Sequence, residues 1–313
     1  MKQITDTIMM IEPTAFGYNE QTACNNYYQR RFDNYNQDEV QRLSLLEFKE
    51  MVKKLIDIGV NVIVFKDTES PRTPDSIFPN NWISFHSDGT ISIYPMYALN
   101  RREERRRDIF NLLSDKYRLL INDIQDFTAF ENDNKYLEGT GSMVLDRENQ
   151  LCYAALSVRT HKEAVLEFCS RFKYQPIFFQ AKQNINGVYQ DIYHTNVMMC
   201  VADEYSVICL DAIHDSHEKD MVTDYLTRTN KEIIEISESQ KNNFAGNMLQ
   251  IMGDQKYIIM SDAAFGSLTT DQISRISRYN PINHSNLETI EACGGGSARC
   301  MISEIFLPKI KLC

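Results

Sequence analysis

The chain has 313 residues, 43% of them hydrophobic and 24% charged, and a formal charge of −10. That composition supports a sizeable globular core, and the acidic balance argues against a nucleic-acid partner. No apolar run reaches the ~20 residues that cross a bilayer, and the opening stretch MKQITDTIMMIEP lacks the cleavage site of a secretion signal; with eight scattered cysteines and no CxxC pair, the reading is a cytoplasmic protein with reduced thiols, no membrane partner and room for a homo-oligomer.

In chain order, the first element is a helix from about Asp38 to Ile58, with Phe48, Met51, Val52, Leu55 and Ile56 at helical spacing. The apolar run Asn61–Phe65 follows as a strand. A second helix is expected from near Arg101, where Arg101, Arg102, Arg105, Arg106 and Arg107 interleave with Glu103 and Glu104; by itself this run reads as a solvated face. Tyr117–Ile121 reads as its strand. Further helices are expected from near His161, with the strand Pro176–Phe179 after it, from near Ser216, and from Thr269, which forms a capping box with Gln272.

Between these helices a small or polar residue repeatedly precedes an apolar run. The segments begin at Asn81, Gly141, Asn196, Asn247 and Arg299, 51 to 60 residues apart. Helices and segments share one period, which predicts an α/β fold of five ββαβ units in one domain over residues 1–313. The expected form is a five-bladed α/β propeller with helices outside and a catalytic channel at the centre. The residues preceding the inner runs should meet there.

Three segments carry chemistry. Gly294-Gly295-Gly296-Ser297-Ala298-Arg299-Cys300 can expose a sulfur beside a flexible backbone, although Cys293 flanks the same glycines. His194 stands at the mouth of the run VMMCV, and Glu138 opens Glu138-Gly139-Thr140-Gly141. Alone, each has an ordinary structural reading. Converging on one axis, they supply a nucleophile, an acid/base and a carboxylate. Asn81, Asn196 and Asn247 occupy the equivalent positions of their units and should reach the same centre, where Asn247 is a candidate substrate contact. His214 and His217 have no third ligand nearby, so no zinc site is expected.

These motifs, with PDSIFPNNW before them and in the same order, resemble the guanidine-modifying (pentein) superfamily of arginine deiminases, dimethylarginine dimethylaminohydrolases and amidinotransferases. Within it the fragments AGNMLQI and GGGSARCMISEIFLP are most similar to amidinotransferase-like proteins of the citrulline-utilization hydrolase type. The resemblance implies a five-bladed propeller without metal or organic cofactor. It implies Cys300 as nucleophile on a guanidino or ureido carbon, His194 as proton carrier and Glu138 as holder of the substrate nitrogens. It further implies substrate contacts at Asp75, Asn81 and Asn196, a grip on the substrate carboxylate by Arg101 (alternatively Arg102) and Arg159, and a lid over Phe16–Asn25.

Two positions depart from the pattern. Asn81 and Asn196 stand where relatives that bind guanidinium carry aspartates. An amide offers a donor as well as an acceptor, so the sequence favours a neutral ureido substrate, citrulline, converted to ornithine. Arginine deiminase or dimethylarginine hydrolase activity, amidino transfer, and a non-catalytic binding role are the alternatives.

Overall fold

In the computed structural model, which describes residues 2–31 and 35–310, the first apolar stripe folds as its spacing dictates. The helix Gln37–Asp57 begins where the Asn36 side chain accepts a hydrogen bond from the Glu39 N–H. Val40, Ser44, Phe48, Met51 and Leu55 are buried along one face, and the apolar ones join Ile8 and Met10 of strand Thr7–Glu12 in one cluster. Each large side chain so buried contributes about 1.5–3 kcal/mol.

Five three-stranded sheets repeat one topology. In each, the middle strand pairs antiparallel with an inner strand and parallel with an edge strand reached through helix-containing connections. The first sheet joins the two ends of the sequence: Ser303–Glu304 is inner, Thr7–Glu12 middle and Asn61–Lys66 edge. The second runs Ile83–Phe85, Thr90–Ile93, Asp123–Asp126. The third runs Val144–Asp146, Leu151–Ala155, Gln175–Phe179. The fourth runs Met199–Val201, Tyr205–Ile208, Glu232–Glu235, and the fifth Leu249–Met252, Lys256–Ser261, Ile282–Ser285. Separate sheets mean that no closed β-barrel forms among the described residues. Inner strands of the first and second, third and fourth, and fourth and fifth sheets are neighbours, and the turns before the second and third sheets touch.

Some elements differ from the sequence reading. The helix expected from Arg101 is broken into Leu99–Arg102 and Ile109–Asp115. Glu104 is not on a solvated face but 3% exposed, and Arg105 bonds Glu131 at 2.7 Å. The strand expected at Tyr117–Ile121 is instead Asp123–Asp126, with Leu119 in a single bridge to Lys309. A hairpin of Lys182–Ile185 and Val188–Asp191 was not anticipated, although its Asn186-Gly187 turn, with both φ positive, is a hairpin signal. No helix among the described residues is long and apolar enough to cross a membrane.

Candidate functional site

A one-turn segment precedes most of the inner strands, and these segments carry the predicted residues. Cys300 lies in Ala298–Met301, ahead of the first sheet's inner strand. The glycines before it are held from two sides: Tyr193 Oη donates to the Gly295 carbonyl at 2.6 Å, and Asn26 Nδ2 to the Gly294 and Gly295 carbonyls at 3.3 Å. Two amides face the sulfur. Asn247 Nδ2 lies 3.2 Å and Asn196 Nδ2 3.6 Å from Cys300 Sγ. Asn247 is itself fixed, donating to the Asn196 carbonyl and accepting from the Arg299 N–H. Cys293 sits in the helix Glu288–Gly294 and is not among the residues lining the Cys300 cavity.

His194 caps the segment Thr195–Val197, and its Nε2 lies 2.8 Å from Glu138 Oε2. Burial lowers its pKa to about 4 against the opposing pull of Glu138, so the ring is neutral near pH 7. Glu138 is fully buried. Its Oε1 accepts from the Tyr97 N–H at 3.0 Å, and Arg159 Nη1 approaches Oε2 at 3.3 Å. Burial alone would raise its pKa, but Arg159, His194 and Arg101 outweigh that and hold the carboxyl well below the usual range. An ionised Glu138 only accepts, which places the His194 proton on Nε2. The glycines after Glu138 have a steric cause. A Cβ on Gly139 (φ +46°) would lie 2.2 Å from the Asn80 carbonyl oxygen, and one on Gly141 2.5 Å from Asn81 Nδ2 and 2.8 Å from His194 Nδ1.

A charged cluster adjoins these groups. Arg101 grips Glu104 with two bonds of 2.9 and 3.0 Å, donates to Asn81 Oδ1 at 2.8 Å, and lies 3.7 Å from Glu138 and 3.8 Å from Asp75. Arg102 turns away, to Glu131. Asp75 Oδ2 accepts from Asn19 and Thr22, whereas its buried Oδ1 has no hydrogen-bond partner among the described residues. Burial pushes the Asp75 pKa up against Arg101, and pushes Glu104 up to about 8 against the same guanidinium. Arg159 stacks on the Tyr193 ring at 4.9 Å and bonds Asn25 Oδ1 and the Thr22 carbonyl, which ties the segment expected as a lid to the site. Asp75, Asn81, Arg101, Arg159, His194 and Cys300 line one cavity with about 10 Å³ free, room for about one water.

All nine predicted residues thus lie at or beside this cavity. Sequence reasoning missed Glu104, whose spacing of three from Arg101 was the available signal, and Tyr193, Asn19 and Asn26, which carry none. Among the described residues no group of three or more His, Cys, Asp or Glu side chains could hold a metal.

A family model described as N,N dimethylarginine dimethylhydrolase, eukaryotic, matches residues 12–307. The chain belongs to that family. It is thereby a member of the guanidine-modifying pentein superfamily, whose enzymes act on carbon–nitrogen bonds. No curated protein sequence matches it. ArgZ, an arginine dihydrolase of the ornithine–ammonia cycle in cyanobacteria, superposes with a TM-score of 0.73 at 16% identity, over 97% of this chain and 41% of ArgZ. AgrE in complex with L-arginine gives 0.72 at 14% identity, over 96% of this chain and 40% of AgrE. This family member therefore spans about two fifths of those proteins. It covers 100% of a dimethylarginine dimethylaminohydrolase trapped as an adduct with S-methyl-L-thiocitrulline, with 96% of its own length, a TM-score of 0.66 and 14% identity. At these identities the likeness establishes the fold.

Proposed function

We propose that this chain is a cysteine-dependent hydrolase that cleaves a terminal C–N bond of an arginine-type amino acid through a covalent adduct on Cys300. The observation that carries the reading is the meeting, in one buried cavity, of a sulfur faced by two amide donors and a histidine bonded to an ionised glutamate. Cys300 Sγ attacks the guanidino carbon while the thiol proton passes through His194 to the departing amine. The S–C bond forms, the C–N bond breaks and the amine leaves. Water then gives a proton to His194 and its oxygen to the carbon. The C–S bond breaks, the sulfur regains a proton, and a ureido product departs. Glu138 holds the remaining substrate nitrogens.

Charge supports a cationic substrate. Asp75, Glu104 and Glu138 face two guanidinium groups, Arg101 and Arg159, and burial pushes two of the three carboxyls upward. The site is short of positive charge, and a guanidinium supplies it. ArgZ is an arginine dihydrolase, and AgrE is described with L-arginine and with ornithine. A second reading, citrulline hydrolysis to ornithine, carbon dioxide and ammonia, rests on the amides of Asn81 and Asn196 and would follow if the ureido product were itself attacked. The five sheets of like topology, three pairs of them adjacent through inner strands and a fourth through the turns before them, further support a single pseudo-fivefold propeller over residues 1–313.

The test is a panel of arginine, N-methylated arginines, citrulline and agmatine, with amine, citrulline and ornithine quantified, beside haloacetamidine labelling. We expect turnover of an arginine-type substrate, poor turnover of agmatine, which offers no carboxylate to an arginine pair, and label on Cys300. Label on Cys293, with Cys300→Ser still active, overturns the assignment.

A further inference from the structure

A second cavity lies between the inner strands of four of the sheets and is lined in part by Asn196, which also faces Cys300. It has about 30 Å³ free and is lined by Arg147, Arg299, Glu304, Gln250 and Gln3 among others. That is room for one or two water-sized species.

The charges here do not balance. Arg147 and Arg299 are 3% and 8% exposed, and both turn to one carboxylate oxygen. Arg299 Nη2 lies 3.0 Å and Arg147 Nη2 3.5 Å from Glu304 Oε2. Arg299 spends another donor on the Ile302 carbonyl, while Arg147 lies over the Phe306 ring at 4.3 Å. Other titratable neighbours offset little of this: burial pushes the Cys200 thiol, which lines the cavity, up to about 12. His86 is kept neutral by burial, reinforced by Arg147, Tyr94 and Tyr174 are pushed upward by burial, and the adjoining Asp146–Lys231 pair, 3.6 Å apart, is neutral as a unit. Two buried cations therefore share one anion in a low-dielectric space, a costly arrangement unless a counter-charge is at hand.

We propose that this cavity is a binding site for a halide-sized monovalent anion, chloride in practice, held by Arg147 and Arg299. The free volume selects against larger anions, and the buried guanidinium donors select against a cation. The site is independent of the reading given for Cys300.

Crystals of the natural chain soaked in sodium bromide test it, beside melting curves in sodium chloride and in sodium gluconate of equal ionic strength. An anomalous bromide peak in the cavity is expected, with a saturable rise of Tm in chloride, none in gluconate, and no chloride dependence in Arg147→Met. If Arg147→Met does not fold, the bromide peak alone decides. A cavity without anomalous density at bromide concentrations that saturate any Tm shift overturns the proposal and leaves water as the occupant.

Discussion

The buried carboxyls differ in what they ask of a ligand. Glu138 is ionised at any ordinary pH, whereas Glu104, pushed up to about 8 by burial, carries a proton in the unliganded site below that value. A bound guanidinium favours the ionised form and expels the proton. Binding of a cationic substrate should thus tighten as pH rises from 6 to 8, because the proton to be displaced is already gone. A neutral ureido substrate should show no such slope. Calorimetric titration of a Cys300→Ala variant with arginine and with citrulline measures both. Equal slopes would remove the charge argument for an arginine-type substrate. At this scale much was legible in the sequence: Asn81, at the head of its apolar run, lines the cavity, and Asn196 and Asn247, at the heads of theirs, face the Cys300 sulfur. Glu104 was not, since an acidic residue among five arginines looks solvated until the break at Arg102 turns Arg101 and Glu104 inward together.

At the scale of elements, the glycines after Glu138 are fixed by neighbours rather than by the turn alone. Gly141→Ala places a methyl group between Asn81 Nδ2 and His194 Nδ1. Overpacking of this kind costs about 1–3 kcal/mol, and it displaces the His194 ring, so activity should fall by at least ten-fold with a lower Tm. Gly266 lies in the helix Asp262–Ser267, and a Cβ there meets nothing within 4 Å. Gly266→Ala should raise stability by about 0.5–1 kcal/mol with kcat unchanged. Urea unfolding and steady-state kinetics of the two variants check the contrast. The elements read correctly from sequence are those with a buried stripe, such as Gln37–Asp57, or a cap, such as Thr269 with Gln272, where both bonds of the capping box are present. Asp123–Asp126 escaped because it is an exposed edge strand. Its parallel pairing with Thr90–Ile93 uses backbone bonds, and its side chains bury too little to leave a hydrophobic pattern.

For the whole molecule, the first sheet is the seam. Thr7–Glu12 pairs with Ser303–Glu304 on one side and Asn61–Lys66 on the other, so residues from both ends of the described chain share one sheet. A chain shortened to end at Ile302 loses the inner strand and the carboxylate shared by Arg147 and Arg299. We expect it to lose cooperative thermal unfolding by circular dichroism; a melt matching that of the natural chain would show that the seam contributes nothing. The shared period made the five sheets of like topology readable from sequence, because every unit must bury the same faces. The charge balance around Arg147 and Arg299 was not readable, since it depends on which arginines turn to Glu304.

That seam also orders events in time. Four sheets are synthesised with their inner, middle and edge strands in sequence, and each has all its partners as soon as its own stretch has left the ribosome. The first sheet waits, its middle and edge strands made early and its inner strand only after every other unit. Cys300 sits immediately before that late strand, and its amide partners Asn196 and Asn247 belong to units made earlier. The nascent chain consequently has no assembled cluster of Cys300, Asn196 and Asn247 until the segment just ahead of that late strand has joined the earlier units.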